Sequence, residues 1–252
     1  MLKIPNPLYL FGAQTDNSFV QQMVEIGIKI AANEEAFPRL RIDEKNREIY
    51  FEESPKDFSV GKFELFSKWQ YLKKSNQGKS KEPLAKAIGL KNFNSSKTIL
   101  DMSCGTGKDA LLLLSFGGNV IAYERNEIIY ILLCYYRIVL DELENFPSKN
   151  FRLYFGEAKF NQNLEDLDVI YFDPMYGDSA NKKAAPRKQM QQFRGFLGED
   201  TDFLEHLNWA IQTAKNRVVL KKSLKSSIDL PQYFSHSIMG KSTRYDVYLT
   251  KN

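Results

Sequence analysis

Cysteine and histidine are scarce, with two of each in 252 residues. Cys104 and Cys134 cannot build a disulfide framework or a cysteine-based zinc cluster. His206 and His236 have no second histidine or carboxylate at ligand spacing, so no metal is expected. Long apolar runs are also missing. The longest, Ile128 to Tyr136, falls far short of the ~20 residues of a membrane span, so no membrane association is expected. The N-terminal MLKIPNPLYLFGAQTD has one lysine and no small-residue cleavage site, so a signal peptide is not expected and a reducing cytoplasm is the predicted location. Charge of one sign barely dominates, at 35 Lys and Arg against 31 Asp and Glu. Only its placement along the chain can be informative. What the chain does have is aromatic and aliphatic bulk: 18 Phe and 13 Tyr within a 43% apolar composition exclude disorder and allow a sizeable core.

Two regions differ in pattern. Residues 1–66 read as a small α/β subdomain of net negative charge. It holds a helix over Ser18–Ala32, whose Phe19, Val20, Met23, Ile26 and Ile30 recur at three- and four-residue steps. A hairpin over Arg39–Glu53 follows, turning at Glu44-Lys45-Asn46. Residues 67–252 form the second unit, in which strands alternate with helices, the signature of a parallel sheet with crossover helices. Expected strands are Thr98–Met102, Asn119–Glu124, Phe151–Phe155, Asp168–Phe172 and Arg217–Lys221. Expected helices are Lys108–Phe116, Glu127–Leu143 and Asp202–Lys215. Two last strands, Phe234–Met239 and Arg244–Thr250, are joined by only Gly240-Lys241-Ser242 and must pair antiparallel. Five parallel strands closed by such a hairpin resemble the Rossmann-like class I methyltransferase layout, and fold alone does not fix function.

The strongest local signal is Thr98-Ile-Leu-Asp101-Met-Ser-Cys-Gly105-Thr-Gly107-Lys-Asp109-Ala110. A buried strand enters a turn with two glycines and then a helix whose first N–H groups are unpaired. Nineteen residues after Gly105, Glu124 ends the next strand, where a carboxylate can accept both hydroxyls of a ribose. The spacing also fits the dinucleotide fingerprint, which keeps an NAD-dependent oxidoreductase in play. Asp101 and Asp109 tilt the balance, because both repel a pyrophosphate whereas Asp101 can hold the cationic amino acid end of S-adenosylmethionine. Glu157 follows the third strand, placed to accept from an adenine amino group.

The fourth strand ends in Asp173-Pro174-Met175-Tyr176. This is similar to the (D/N)-P-P-(Y/F) motif of methyltransferases that act on exocyclic amines. A nucleobase amine is a poor nucleophile because its lone pair is delocalised into the ring. Acceptors on both N–H bonds, the Asp173 carboxylate and the Pro174 carbonyl, orient it and stabilise the charge it gains in the transition state. Tyr176 can stack on a flipped or unpaired base. Adenine in DNA or RNA and guanine in RNA both remain open as the target.

Three basic stretches carry the surplus charge: Lys62–Lys91, Tyr176–Gly195 and Lys215–Lys225. The last two flank the expected active edge, so Lys182, Lys183, Arg187, Lys188, Lys221 and Lys222 are expected phosphate contacts. Cys104 reads as a small residue filling a tight turn rather than as a nucleophile.

Between Gly78 and Tyr248 the chain resembles the bacterial small-subunit (16S) ribosomal RNA guanine-N2 methyltransferase J family. The matching pieces are Gly78-Lys-Ser-Lys-Glu82 with Leu84-Ala-Lys-Ala-Ile-Gly89, Asp101 to Ala110, Tyr123-Glu-Arg-Asn126, Tyr171-Phe-Asp-Pro-Met-Tyr176, Lys188-Gln-Met190, Arg217-Val-Val-Leu-Lys221 and Arg244-Tyr-Asp-Val-Tyr248. The resemblance implies an enzyme that uses S-adenosylmethionine to methylate N2 of a guanine, with ribosomal RNA or the small subunit as partner. It also implies cofactor contacts at Lys108-Asp109, Glu124-Arg125, Glu157-Ala158 and Asp173. Lys108 stands where the family usually has arginine, which keeps the charge but not the planar donor. Glu157-Ala158 replaces a serine pair, and Glu157 can substitute as the adenine acceptor.

Overall fold

The computed structural model describes residues 7–12, 18–55, 60–74, 81–90, 97–161, 164, 166–174, 201–224, 226 and 233–250. The N-terminal part is a five-stranded sheet of β1 (Tyr9–Phe11), β2 (Lys29–Ile30), β3 (Arg39–Asp43), β4 (Glu48–Glu52) and β5 (Val60–Gly61), in the order β2-β1-β3-β4-β5, with helix α1 (Ser18–Glu25) between β1 and β2. β3 and β4 form the expected hairpin, its turn held where the Asn46 N–H donates to Asp43 Oδ1 at 3.1 Å. The helix expected over Ser18–Ala32 stops earlier. Gly27 takes a positive φ of 92°, and the chain reverses to pair Lys29 and Ile30 with β1. Phe19, Val20 and Met23 are therefore core residues, whereas Ile26 and Ile30 are exposed.

Two short helices, α2 (Leu65–Lys74) and α3 (Pro83–Ala87), lead into the main sheet. Its strands are β6 (Thr98–Asp101), β7 (Asn119–Glu124), β8 (Phe151–Phe155), β9 (Val169–Phe172), β10 (Arg217–Ser223), β11 (Phe234–Met239) and β12 (Thr243–Leu249), in the order β11-β12-β10-β9-β6-β7-β8. β8, β7, β6, β9 and β10 are parallel, and β12 and β11 close the sheet antiparallel, as expected. The connecting helices are α4 (Lys108–Ser115), α5 (Glu127–Asp141) and α6 (Phe203–Thr213). β10 runs two residues past its expected end because Lys222 and Ser223 find partners in Arg244 and Thr243 of β12. The register aligns Asp101 with Tyr171, Glu124 with Phe155 and Leu220 with Phe172, so the carboxyl tips of the parallel strands share one edge.

α5 joins the two sheets. It is apolar on most of its surface, burying Ile129, Leu132 and Leu133 among others. One hydrophobic cluster extends from Leu8, Leu40, Ile49 and Phe51 of the first sheet through Tyr135 and Tyr136 to Ile99 and Leu113 of the second unit. Phe19 meets Tyr135 edge-on at 5.3 Å, and Phe63 stacks on Tyr136 at 5.6 Å. Inside this apolar seam the Tyr136 hydroxyl donates to the buried Glu48 carboxylate and accepts the Phe63 N–H at 3.1 Å. Burial pushes the Glu48 carboxyl above the ordinary glutamate range. A raised folded-state value means stability that is complete at acid pH and lost as pH rises through that value. Tyr136→Phe is expected to lose about 1–3 kcal/mol, since a buried acid and a backbone N–H each lose the hydroxyl they share. Glu48→Gln should keep the hydrogen bond, cost less, and flatten the loss of stability with rising pH. Urea denaturation at several pH values checks both.

Candidate active site

The site is built at the shared edge of the parallel strands, beginning with the loop between β6 and α4. Gly105 and Gly107 have φ of 54° and 76°, conformations that residues with a Cβ rarely adopt. A Cβ on Gly107 would stand 3.0 Å from methyl groups of Leu65 and Leu133, so the loop lies tight against the core. The Cys104 N–H donates to the Tyr123 carbonyl at 2.8 Å. Cys104 is buried, and burial pushes its thiol well up, which fits a packing role.

Glu124, at the tip of β7, clasps the loop. Its Oε2 accepts the Gly105 N–H and its Oε1 the Asn126 N–H, both at 2.8 Å. These bonds orient the Glu124 carboxylate at the strand edge. Asn126 caps α5 by accepting the Ile129 N–H at 3.0 Å. Lys108 and Asp109 open α4.

Asp101 is fully buried at the tip of β6. Its Oδ1 accepts the Ser103 N–H at 3.2 Å, and its Oδ2 has no hydrogen-bond partner among the described residues. Burial, and next the nearby Asp109, push its carboxyl well above the ordinary range. Asp173 follows β9, the strand beside β6, and its N–H donates to Ser103 Oγ at 2.9 Å, which ties the Asp173-Pro174 turn to the glycine loop. Lys221 of β10 reaches between the acids, with Nζ 2.7 Å from Asp109 Oδ2 and 2.8 Å from Asp173 Oδ2. The Tyr171 hydroxyl donates to the same Asp109 oxygen at 2.6 Å. Burial alone would raise the Asp109 carboxyl, but Lys221 and Tyr171 hold it below its ordinary value. Three aspartates thus converge around one lysine, one of them with an orphaned buried oxygen. That donor set suits a cationic guest, and the ammonium and sulfonium of S-adenosylmethionine fit it.

A second cluster lies beyond Glu124. Arg125 Nη1 stands 3.0 Å from Asp202 and 3.5 Å from Glu157, and His206 Nε2 is 3.1 Å from Glu157 Oε2. Burial would lift the Asp202 carboxyl, but Arg125 and then His206 hold it low. His206 was expected to stand apart from carboxylates, and the fold overturns that. Asp202 lies one helical turn before it, and Glu157 arrives from the end of β8 with its oxygen in reach. The guanidinium in their midst already supplies positive charge to both acids. Ala158, next to Glu157, is buried in a short 3-10 turn.

A family model described as "Putative SAM-dependent methyltransferase" matches residues 23–250. Ribosomal RNA small subunit methyltransferase J of Bdellovibrio bacteriovorus is 36% identical over 185 residues, 71% of this chain and 69% of the relative. The chain belongs to this methyltransferase J family. Its counterpart in Thioalkalivibrio sulfidiphilus is 36% identical over 175 residues, 67% of this chain and 68% of the relative. The family's members are S-adenosylmethionine-dependent, and that is the cofactor here. A crystal structure of a SAM-dependent methyltransferase from Neisseria gonorrhoeae superposes with a TM-score of 0.70 at 22% identity, covering 98% of this chain and 96% of that one; this likeness speaks for the fold. The NAD-dependent reading of the glycine loop is set aside by these matches.

The edge brings together Asp101, Gly105, Gly107, Lys108, Asp109, Glu124, Arg125, Glu157, Ala158, Asp173 and Pro174. Tyr176, Lys182, Lys183, Arg187 and Lys188 lie outside the described residues. The two expected phosphate contacts on β10 are corrected. Lys222 has a side chain with 0% exposure, paired with Asp246 at 3.0 Å, and cannot meet a polyanion. Lys221 points to the other face, into the site, because neighbouring residues of a strand project to opposite sides. Ser103 and Tyr171 were missed by the sequence reading. A tyrosine within the apolar run Val169–Phe172 was the available signal, since a buried hydroxyl requires a partner.

Proposed function

We propose that this enzyme methylates the exocyclic N2 of a guanine in 16S ribosomal RNA. The observation that carries the reading is the seating of Asp173-Pro174 at the tip of β9, tied through Ser103 to the glycine loop on β6. When bound, S-adenosylmethionine supplies an electrophilic methyl group on a sulfonium. Asp101 and Asp109 bind the cationic end of the cofactor, Glu124 binds the ribose, and Glu157 accepts from the adenine amine. The Asp173 carboxylate and the Pro174 carbonyl accept the two N–H bonds of the guanine amine and aim its lone pair, so in-line positioning supplies much of the rate. Proline fixes φ and with it the direction of that carbonyl. The methylated amine is a strong acid, so its proton passes to Asp173 or to water without a dedicated base. Tyr176 stacks on the target base. The sheet β1–β5 with α1 belongs to a subdomain that braces α5, and the unit from α2 onward carries the chemistry.

The substrate places the enzyme in the cytoplasm; among the described residues no helix is long and apolar enough to cross a membrane. Incubation with labelled cofactor and, separately, small subunits, protein-free 16S RNA and DNA tests the reading. N2-methylguanosine in ribosomal RNA digests is the expected product, and N6-methyladenine instead would transfer the enzyme to the adenine-modifying class. Neutralising Lys182, Lys183, Arg187 and Lys188 together should lower the slope of log affinity against log salt by roughly three, at about 0.7 per single-strand phosphate contact. An unaltered slope in filter binding would remove that segment from the RNA interface.

A further inference from the structure

Lys221 has the geometry of an instrument rather than of an anchor for phosphate. It extends from β10 with a largely buried side chain, and its ammonium bridges Asp109 at 2.7 Å and Asp173 at 2.8 Å. One of these acids heads α4 in the cofactor loop, and the other heads the turn that holds the target amine. Without a cation between them, two carboxylates sharing an oxygen-lined space would repel, and one would take up a proton. A protonated Asp173 would present a hydroxyl where the chemistry needs an acceptor.

We propose that Lys221 is a positioning residue for methyl transfer: by bridging Asp109 and Asp173 it keeps the Asp173 carboxylate charged and turned toward the incoming amine. This rests on the reading of Asp173 as the acceptor for the amine. Of the charged groups that face the pair among the described residues, Lys221 is the one seen to bridge both acids. Asp101 faces the pair from β6, Tyr171 from β9 and Tyr245 from β12, and all are neutral or negative; Lys68 of α2 acts on Asp109. The two carboxylates in turn hold the Lys221 ammonium charged against its burial. The Tyr171 hydroxyl completes the chain by fixing the Asp109 oxygen that Lys221 shares.

The test follows kcat for ribosomal RNA methylation between about pH 5 and 9 in wild type, Lys221→Met and Lys221→Arg. Calorimetry with S-adenosylhomocysteine verifies that each variant is folded and binds. Lys221→Met should lose roughly tenfold to hundredfold in kcat near neutrality. Its acid limb should move up by about one pH unit or more, because activity that needs an ionised Asp173 is lost as pH falls through a value no longer held down. Lys221→Arg should restore the position of the limb. A merely structural role would lower kcat alike at every pH, so a Lys221→Met limb that coincides with the wild-type one overturns the assignment. If Lys221→Met is too unstable to assay, Lys221→Arg decides: an unmoved limb supports the assignment, and a raised limb despite the retained charge overturns it. Turnover surviving in Asp173→Ala would strike at the proposed chemistry itself, whereas an inactive Asp173→Ala beside an unshifted Lys221→Met overturns only the role of Lys221.

Discussion

Asp173→Ala is expected to lower kcat by about three orders of magnitude while affinity for ribosomal RNA changes little. The methyl group must be met by a nitrogen whose lone pair belongs mostly to the purine ring. Two acceptors pull that electron density outward, and the Asp173 carboxylate is the charged one of the two. Its interaction strengthens as the nitrogen becomes cationic, so it stabilises the transition state more than the bound ground state. Loss of one preorganised group of this kind costs about 10²–10³ in rate, and misplacement of the amine adds to that. The rest of the turn survives, because the Asp173 N–H bond to Ser103 Oγ belongs to the backbone. RNA affinity, spread over many phosphates, has little stake in one acceptor. Single-turnover rates with labelled cofactor, set against filter-binding isotherms, separate the two quantities. Turnover within tenfold of wild type would take Asp173 out of the mechanism.

The parts of this site that were legible in sequence are those written in short, ordered stretches. The run from Thr98 to Ala110 carries strand, positive-φ glycines and helix start within thirteen residues, and each piece constrains the next. Asp173-Pro174 follows four apolar residues, so its place at a strand tip is local information. Both boundaries of β11, and those of β12 to within one residue, were equally readable because alternation is a local property. The rest depended on partners distant in sequence. Glu48 and Tyr136 are 88 residues apart, Lys221 and Asp109 are 112 apart, and His206 and Glu157 are 49 apart. No periodicity relates such pairs; only the sheet order does, once α5 is seated on β4 and β10 lies beside β9. The misreading of Lys221 and Lys222 as phosphate contacts came from counting charge along a run. A strand turns adjacent side chains to opposite faces, and that rule already forbids both from serving one surface.

The fate of Lys222 therefore has a large and measurable consequence. Its side chain is 0% exposed and its Nζ lies 3.0 Å from Asp246 Oδ2, itself on a side chain only 2% exposed. Ser237 donates to Asp246 Oδ1 at 2.7 Å, and Arg244 pairs with the same carboxylate. Burial would raise the Asp246 carboxyl, yet Ser237, Lys222 and Arg244 hold it below the ordinary range. Asp246→Ala removes the anion and leaves a buried ammonium poorly compensated, which costs about 3–5 kcal/mol. A drop of roughly ten degrees in Tm follows for a domain of this size. Lys222→Met should cost less, because the carboxylate it deserts retains Ser237 and the partly exposed Arg244. The pH dependence has a definite sign. A depressed folded-state value gives stability that is present above the ordinary aspartate range and is lost as pH falls through the depressed value, so wild type should converge on Asp246→Ala in acid. Thermal unfolding at neutral and acid pH measures both. An RNA-facing Lys222 requires the opposite pattern, with Tm unmoved in both variants and the salt slope of RNA binding reduced in Lys222→Met. Equal stability of Asp246→Ala and wild type would return Lys222 to the surface and overturn the buried pair.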